Sequence, residues 1–435
     1  MSQGLASNSK TGSSLDGTER SLVVKRFGAL EVCVVSSYSP TWDDRGSGAT
    51  MDGAFFSPRP PAGTGWRRLA HLGRNDNHED ISGARGTVMV REVDPASQMF
   101  KHPTDYRLIW KDQGSGAKKD GSVWRPIAPA GYVALSDVVW EGWGRPPLTE
   151  ITCVRKSYNG HEYVRRGTLG PLLWWDKKSG AKSDVSMYPI LAPASPDDGV
   201  ERLLLPTGGF TAYGHYNTPS PEDTTWVLDL PASVEKSAGP QRPTLTSHEV
   251  PPQTTQPVVD RVTAIPCTVV HDPLYSVAWQ LANSPFYRME RRRFYTRQIH
   301  RHNGGSESHT DTHAITTGVS REDSESFSKS TSVTVSASVG IQIKGLGLGA
   351  EVSTTVEMGY ERRRSVTVMA SETKTHSLVT PPRSSGCLWS EAHEIRSFRA
   401  DGGQVGNASL VFQTSNYVNQ QFPSGTAIRH EIVED

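Results

Sequence analysis

The chain has 435 residues, and its 46 Lys plus Arg equal its 46 Asp plus Glu, so the formal net charge is zero. The length allows two or three domains. The balance excludes an electrostatic case for nucleic acid and for broad attraction to anionic lipid. With 40 glycines, 29 prolines and few helical periodicities, a mainly β protein is expected.

Residues 1–20 are polar and read as a disordered N-terminus. They contain no apolar stretch of the kind a secretory signal needs. No run of 18 apolar residues occurs, so no transmembrane helix is expected. The protein is expected to be made soluble, without a signal peptide, and to be released before it meets a target membrane.

A three-copy repeat follows. Around Trp42 the chain reads WDDRGSGATMDG, around Trp110 WKDQGSGAKKDG, and around Trp175 WDKKSGAKSDV. An Asp precedes each small-residue turn and a second Asp follows eight positions later: Asp44/Asp52, Asp112/Asp120 and Asp176/Asp184. The spacing of 68 and then 64 residues between first aspartates sets the period. In the third copy Lys178 replaces the first Gly and Val185 the Gly after the second Asp. A repeat of this size is one supersecondary unit that cannot bury its own apolar face. Three of them closing around one axis make a pseudo-threefold β-prism over residues 21–217, with the repeat tryptophans in its core. Two readings of the Asp pairs stand: calcium held by carboxylates and carbonyls, or each Asp capping its own turn.

Residues 218–262 are rich in Pro, Thr and Ser and read as an extended linker, within which TTWVLDLP can supply one strand. The second region, 263–435, shows strand alternation throughout.

Its most informative stretch is 331–358. Val333, Val335, Ala337, Val339, Ile341 and Ile343 alternate with Ser, Thr, Gly and Gln. After Lys344-Gly345 the parity flips, and Leu346, Leu348, Ala350, Val352, Val356 and Met358 alternate with Gly, Ser, Thr and Glu. Period-two patterning means one apolar and one polar face. A two-residue turn at Lys344-Gly345 pairs Ile343 with Leu346 and Ile341 with Leu348, which sorts the faces; a one-residue slip would destroy the sorting. Each arm has 13–14 residues, and roughly 9–11 suffice for a tilted strand to cross the hydrocarbon core. A lone hairpin leaves its edges unpaired in lipid, so a crossing requires a closed barrel from several chains. The competing reading is a long hairpin in a soluble sandwich.

Other groupings are less specific. His300, His302, His309 and His313 admit a pH trigger, a metal site or solvated loop histidines. Arg291–Arg293 and Arg362–Arg364 admit headgroup contacts or a salt-bridged strand face. Cys33, Cys153, Cys267 and Cys387 read as buried free thiols. No GxSxG, HExxH or P-loop occurs, so no enzyme, no cofactor and no metal centre are expected.

The Asp-x-Gly-Ser-Gly-Ala-x-x-Asp block, with the Pro-Ala-Gly-Tyr step at 129–132, resembles the vacuolar protein sorting-associated protein 62 repeat family. Related prism domains bind sugars or lipid headgroups, so the resemblance implies a receptor-binding module. The Ser/Thr-rich amphipathic hairpin among long strands resembles the aerolysin-type pore-forming module. That resemblance implies an elongated aerolysin-like domain whose hairpin, 331–358, is released on oligomerisation. Together they imply a β-pore-forming toxin, cytolytic or insecticidal. Its partners would be a target-cell membrane, a surface glycan, lipid or protein receptor, and further copies of itself in a ring. The alternative is a non-lytic lectin-like or trafficking-adaptor protein.

Overall fold

The computed structural model describes residues 22–433 except 62–64, 194–199, 233–234, 271, 273, 321, 324–325, 327–333, 336–340, 348–349, 357–370 and 407–408. The expectations for residues 1–20 and for Arg362–Arg364 lie outside the described residues. Strands dominate; the named helices include two short 3-10 turns and the α-helix Val277–Asn283.

Each repeat folds into two small antiparallel sheets. The inner ones are Tyr38–Asp43, Ala54–Pro58 and Leu72–Arg74; then Asp105–Lys111, Gly121–Ile127 and Val138–Glu141; then Trp174–Trp175, Ser186–Leu191 and Phe210–Tyr213, to which Thr168–Leu169 is added. The outer ones are Val24–Phe27, Leu30–Val35 and Thr87–Glu92; Phe100–Lys101, Tyr132–Val133 and Cys153–Arg155; and Val164–Arg166, Arg202–Leu205 and Trp226–Pro231. This is the β-prism-like arrangement expected from the repeat. The last strand pairs with both Val164–Arg166 and Arg202–Leu205, so the repeat domain runs past residue 217 and the linker starts later.

The shared core is a triangle of indoles, one per repeat. Trp42, Trp110 and Trp174 meet edge to face with centroids 5.7–5.9 Å apart, the geometry that aromatic quadrupoles favour. Phe55, Val123, Val139, Val185, Met187 and Phe210 fill the space around them. The third member is Trp174, not Trp175. Position counts from the capping Asp explain this: Trp42, Trp110 and Trp174 each stand two residues before it, on the inward face of the strand, while Trp175 is displaced by one and lies half-buried, bonding Thr50 Oγ1 at 2.9 Å.

The second domain is elongated. Strands Phe286–Asn303, Ser384–Phe398 and Leu410–Phe422, of 18, 15 and 13 residues, carry its main sheet, edged by Val258–Pro266 and Glu235–Lys236. A smaller sheet joins His309–Thr317, Glu372–Thr380 and Arg429–Val433. The linker lies along the main sheet, with Leu245 buried against Tyr295, Trp389 and Val418. The Arg291–Arg293 run is a salt-bridged strand face: Arg291 holds Asp260 bidentately at 2.9 and 2.6 Å, and Arg293 lies 3.1 Å from the same carboxylate. The two domains share one apolar cluster, which links Leu69, Val88 and Leu203 to Ile265, Tyr287 and Ile395. All four cysteines are free and buried, and burial pushes each thiol up to about 12.

Strands Ile341–Gly347 and Ala350–Val356 form a hairpin, with Thr334–Val335 paired outside Ile341–Gly347. Its register corrects the sequence expectation. Lys344 and Gly345 sit inside a strand, opposite Ser353 and Val352, and Gly347 pairs with Ala350. Ile341 therefore opposes Val356, Ile343 opposes Thr354, and Leu346 falls opposite Glu351. The physical reason is that alternation forbids only slips that exchange the faces. Moving the turn from 344–345 to 348–349 keeps odd residues of one arm opposite even residues of the other. Val333, Ala337, Val339, Leu348 and Met358 lie outside the described residues.

Candidate functional site

Two features carry the functional argument: the ring of repeat turns and the seat of the hairpin.

In each repeat the first Asp closes its own turn. Ser47, Ser115 and Ser179 amides donate to the carbonyls of Asp44, Asp112 and Asp176 at 2.8–2.9 Å. The Asp44 and Asp176 side chains accept from the amides of Gly53 and Val185 at 2.9 and 2.8 Å. Glycines in the left-handed region make the turn, with Gly46 and Gly114 at φ 90° and 92°. Lys178 takes the same conformation at φ 72°, so the third turn keeps its shape despite losing the glycine.

The turns are joined in a closed ring. Lys118 N donates to Arg45 O at 2.8 Å, Lys182 N to Gln113 O at 3.0 Å, and Thr50 N to Lys177 O at 2.9 Å. The indoles repeat this circuit below: Trp42 Nε1 donates to Lys119 O, Trp110 Nε1 to Ser183 O and Trp174 Nε1 to Met51 O, at 2.7–3.1 Å.

The six aspartates thus divide into two sets. Asp44, Asp112 and Asp176 are buried; Asp52, Asp120 and Asp184 are exposed around the ring. Each buried carboxylate also takes a donor from a later segment of its own repeat, and these three differ chemically: His78 Nε2 lies 2.6 Å from Asp44, Trp143 Nε1 donates to Asp112 at 2.6 Å and Tyr216 Oη to Asp176 at 2.7 Å, while the core indoles Trp174 and Trp110 add bonds to Asp44 and Asp176 at 3.1 and 3.2 Å. Because imidazole, indole and phenol share only a polar hydrogen, no repeat pattern in the sequence exposes them. Burial raises the Asp176 carboxyl, which its three donors oppose, and burial with the Asp176 bond raises the Tyr216 phenol. These bonds are those of turn capping. In the first repeat alone the donor is a possible ligand, and donor atoms of Asp44, Asp52 and His78 lie within 4.8 Å of one another.

The predicted histidine group does not converge. His300 and His302 lie on Phe286–Asn303, where His302 bonds Ser385 Oγ at 3.1 Å, while His309 and His313 are exposed on His309–Thr317. Among the described residues a different histidine pair lies within hydrogen-bond distance: His376 Nδ1 is 2.9 Å from His430 Nε2.

The hairpin is seated on the repeat domain. Its strand Ala350–Val356 extends the third repeat's outer sheet, with Val356 opposite Leu203 and Thr355 opposite Leu204. The six-stranded order runs from Val164–Arg166 through Trp226–Pro231 and Arg202–Leu205 to the hairpin and Thr334–Val335. Among the described residues the ladder between hairpin and domain has two residue pairs. Among the described residues no helix is long and apolar enough to cross a membrane.

A threefold repeat domain packed on a long-stranded domain that lends it a hairpin defines a β-rich two-domain protein. Residues 13–224 match the family described as vacuolar protein sorting-associated protein 62, and residues 262–417 match the family described as insecticidal crystal toxin, P42. The first match falls on the repeat domain and the second on the long-stranded domain. Among solved structures it resembles GNIP1Aa from Chromobacterium piscinae at 28% identity and TM-score 0.35, over 43% of this chain and 34% of that one. It also resembles Cry35Ab1 at 11% identity and TM-score 0.34, over 92% of this chain and 91% of that one. This chain thus spans about a third of the length of GNIP1Aa. No curated protein matches it.

Proposed function

We propose that the protein is a β-pore-forming toxin whose repeat domain binds a target-cell surface and whose hairpin, residues 331–358, enters the membrane as part of an oligomeric barrel. The observation that carries this reading is the seat of the hairpin. Two seven-residue strands of this amphipathic stretch, Ile341–Gly347 and Ala350–Val356, are stored as extra strands on another domain's sheet beside a short ladder, with Thr334–Val335 folded back on them, and would extend to bilayer-crossing length on insertion. In the barrel, Val339, Ile341 and Ile343 would face lipid and the Ser, Thr and Glu positions the lumen. Stored and inserted registers need not agree, since a slip of even parity keeps the faces sorted. The match to an insecticidal toxin family over residues 262–417 supports the same reading.

Dye release from liposomes or target cells tests it. Val339→Asp or Ile341→Asp should abolish release while folding and surface binding persist, because a charge on a lipid-facing strand is destabilising at the bilayer midplane, by about 2–4 kcal/mol for Arg or Lys and by less for Asp. A Leu204→Cys/Thr355→Cys pair, at directly opposed positions, should hold the hairpin in its seat and block release until a reductant is added. Release from the oxidised form at the reduced rate would exclude the seat as a storage site. No release from any membrane, at any pH or after protease trimming, would leave the non-lytic binding protein as the better reading.

A further inference from the structure

The repeat domain carries a cleft that the turn ring does not use. Strands Val164–Arg166 and Trp226–Pro231, at the far side of the sheet that seats the hairpin, meet the end of Gly121–Ile127 around a cavity of about 430 Å³. Three of its lining residues are the exposed cations Arg107, Lys156 and Arg166. Among the described residues none of the three has a carboxylate within ion-pair distance. Arg125, which also lines the cleft, is already committed to Asp137 and Glu222. The one uncommitted carboxylate on the wall is Asp223. A chain of zero net charge therefore concentrates three free cations against one free anion at a single concavity.

Trp226 arranges these charges. The Arg166 guanidinium stacks 4.4 Å from its ring centroid and the Lys156 ammonium stands 5.7 Å away. Arg166 and Trp226 are opposed in the strand register, and the guanidinium also donates to the Glu222 carbonyl. The indole is itself fixed by its bond to the Asp223 carbonyl at 2.9 Å. Cation–π stacking on a pinned indole holds two long side chains without neutralising them, which reduces the ordering cost of a later ligand. The opposite wall is apolar: Pro126, Ile127 and Ala128, with Ile127 46% exposed.

We infer that this cleft binds a sugar bearing a sulfate or carboxylate group. The guanidinium forks of Arg107 and Arg166 match an oxyanion in bidentate geometry. The Pro126–Ala128 ledge takes the apolar face of a ring. The volume is that of a small-ligand site, larger than one bare oxyanion needs, and its concavity suits a saccharide better than the surface of a bilayer. The inference deepens the reading of the repeat domain as a receptor-binding module and rests on it.

The test is calorimetric titration of the full chain at low salt with a heparin-derived sulfated tetrasaccharide, a neutral chitotetraose, sodium sulfate, and phosphatidylserine vesicles. The sulfated tetrasaccharide should bind, with affinity falling as salt rises. Arg107→Glu, at an exposed position that threatens no packing, should weaken it at least tenfold, as should Lys156→Ala with Arg166→Ala. Asp223→Asn should tighten it. Equal binding of chitotetraose, unchanged affinity in the cation variants, or failure of any acidic sugar to bind would overturn the inference. So would vesicle binding with the same three-residue dependence, which would assign the cleft to lipid. Dye release at saturating protein, from liposomes without sugar, separates the two readings. Release by the wild-type protein without sugar binding would remove the cleft and keep the pore, and sugar binding without release would remove the pore and keep the cleft.

Discussion

Substituting Gly121 by Ala probes the indole triangle directly. A Cβ there would lie 2.3, 2.4 and 2.6 Å from Nε1, Cε2 and Cδ1 of Trp42. Contact needs about 3.5 Å, so the ring would have to retreat by about 1 Å. It cannot, because Trp110 and Trp174 stand edge-on at 5.8 and 5.7 Å on its other sides. The φ of Gly121 lies outside the left-handed region, so backbone strain adds nothing and the cost is steric. Overpacking contributes about 1–3 kcal/mol. Loss of the 2.9 Å bond from Trp42 Nε1 to Lys119 O adds about 1–3 kcal/mol. The expected loss is therefore about 2–6 kcal/mol, read by urea denaturation followed through near-ultraviolet circular dichroism. In thermal melts each kcal/mol should appear as about 2–4 °C for a domain of this size. In a Trp42→Leu background the same substitution should cost almost nothing, since its partner is gone. A cost within about 0.5 kcal/mol of zero in the wild type, or an undiminished cost in the Trp42→Leu background, would refute the packing argument.

Three further outcomes are expected. Lys178→Gly should stabilise the repeat domain by about 1 kcal/mol, because Lys178 occupies a left-handed conformation that glycine adopts freely; chemical denaturation reads the gain. Asp137→Ala should destabilise by about 3–5 kcal/mol, measured the same way, since it removes the buried bidentate partner that holds Arg125 at 3.0 and 2.9 Å and leaves that guanidinium the more exposed Glu222 as counter-ion. Burial, then neighbouring His430 and Lys374, pushes His376 down to about 4, and burial lowers His430 as well. The folded state therefore binds these protons less readily than the unfolded chain. Stability should be complete above about pH 6.5 and fall as the pH drops toward 4. His376→Gln/His430→Gln should flatten that decline in melting temperatures taken across the window.

What could be read from the residues is what repeats or alternates. Period-two patterning in the 331–358 stretch gave the assignment of Ile341 and Val356 to one face but not the break of the first arm, where Thr334–Val335 folds back onto Ile341–Gly347, and the tripled Asp–Gly-Ser-Gly-Ala block gave a threefold domain with tryptophans at its axis. These are local properties: the pleat fixes which face a residue takes, and a tight turn fixes which residue types it accepts. What alternation encodes only loosely is register, because a slip of even parity keeps most of the apolar residues on one face. The turn therefore falls after Gly347 rather than at Lys344-Gly345, and Leu346 lies opposite Glu351. Nor does the sequence distinguish Asp44 from Asp52. Burial under the ring, where His78, Trp143 and Tyr216 arrive from distant segments, makes one set structural and leaves the other at the surface. The seat of the hairpin on Arg202–Leu205 and the cleft around Trp226 join residues far apart in the chain. Such meetings depend on how the sheets close around the axis and on each other, and only the tertiary structure decides them.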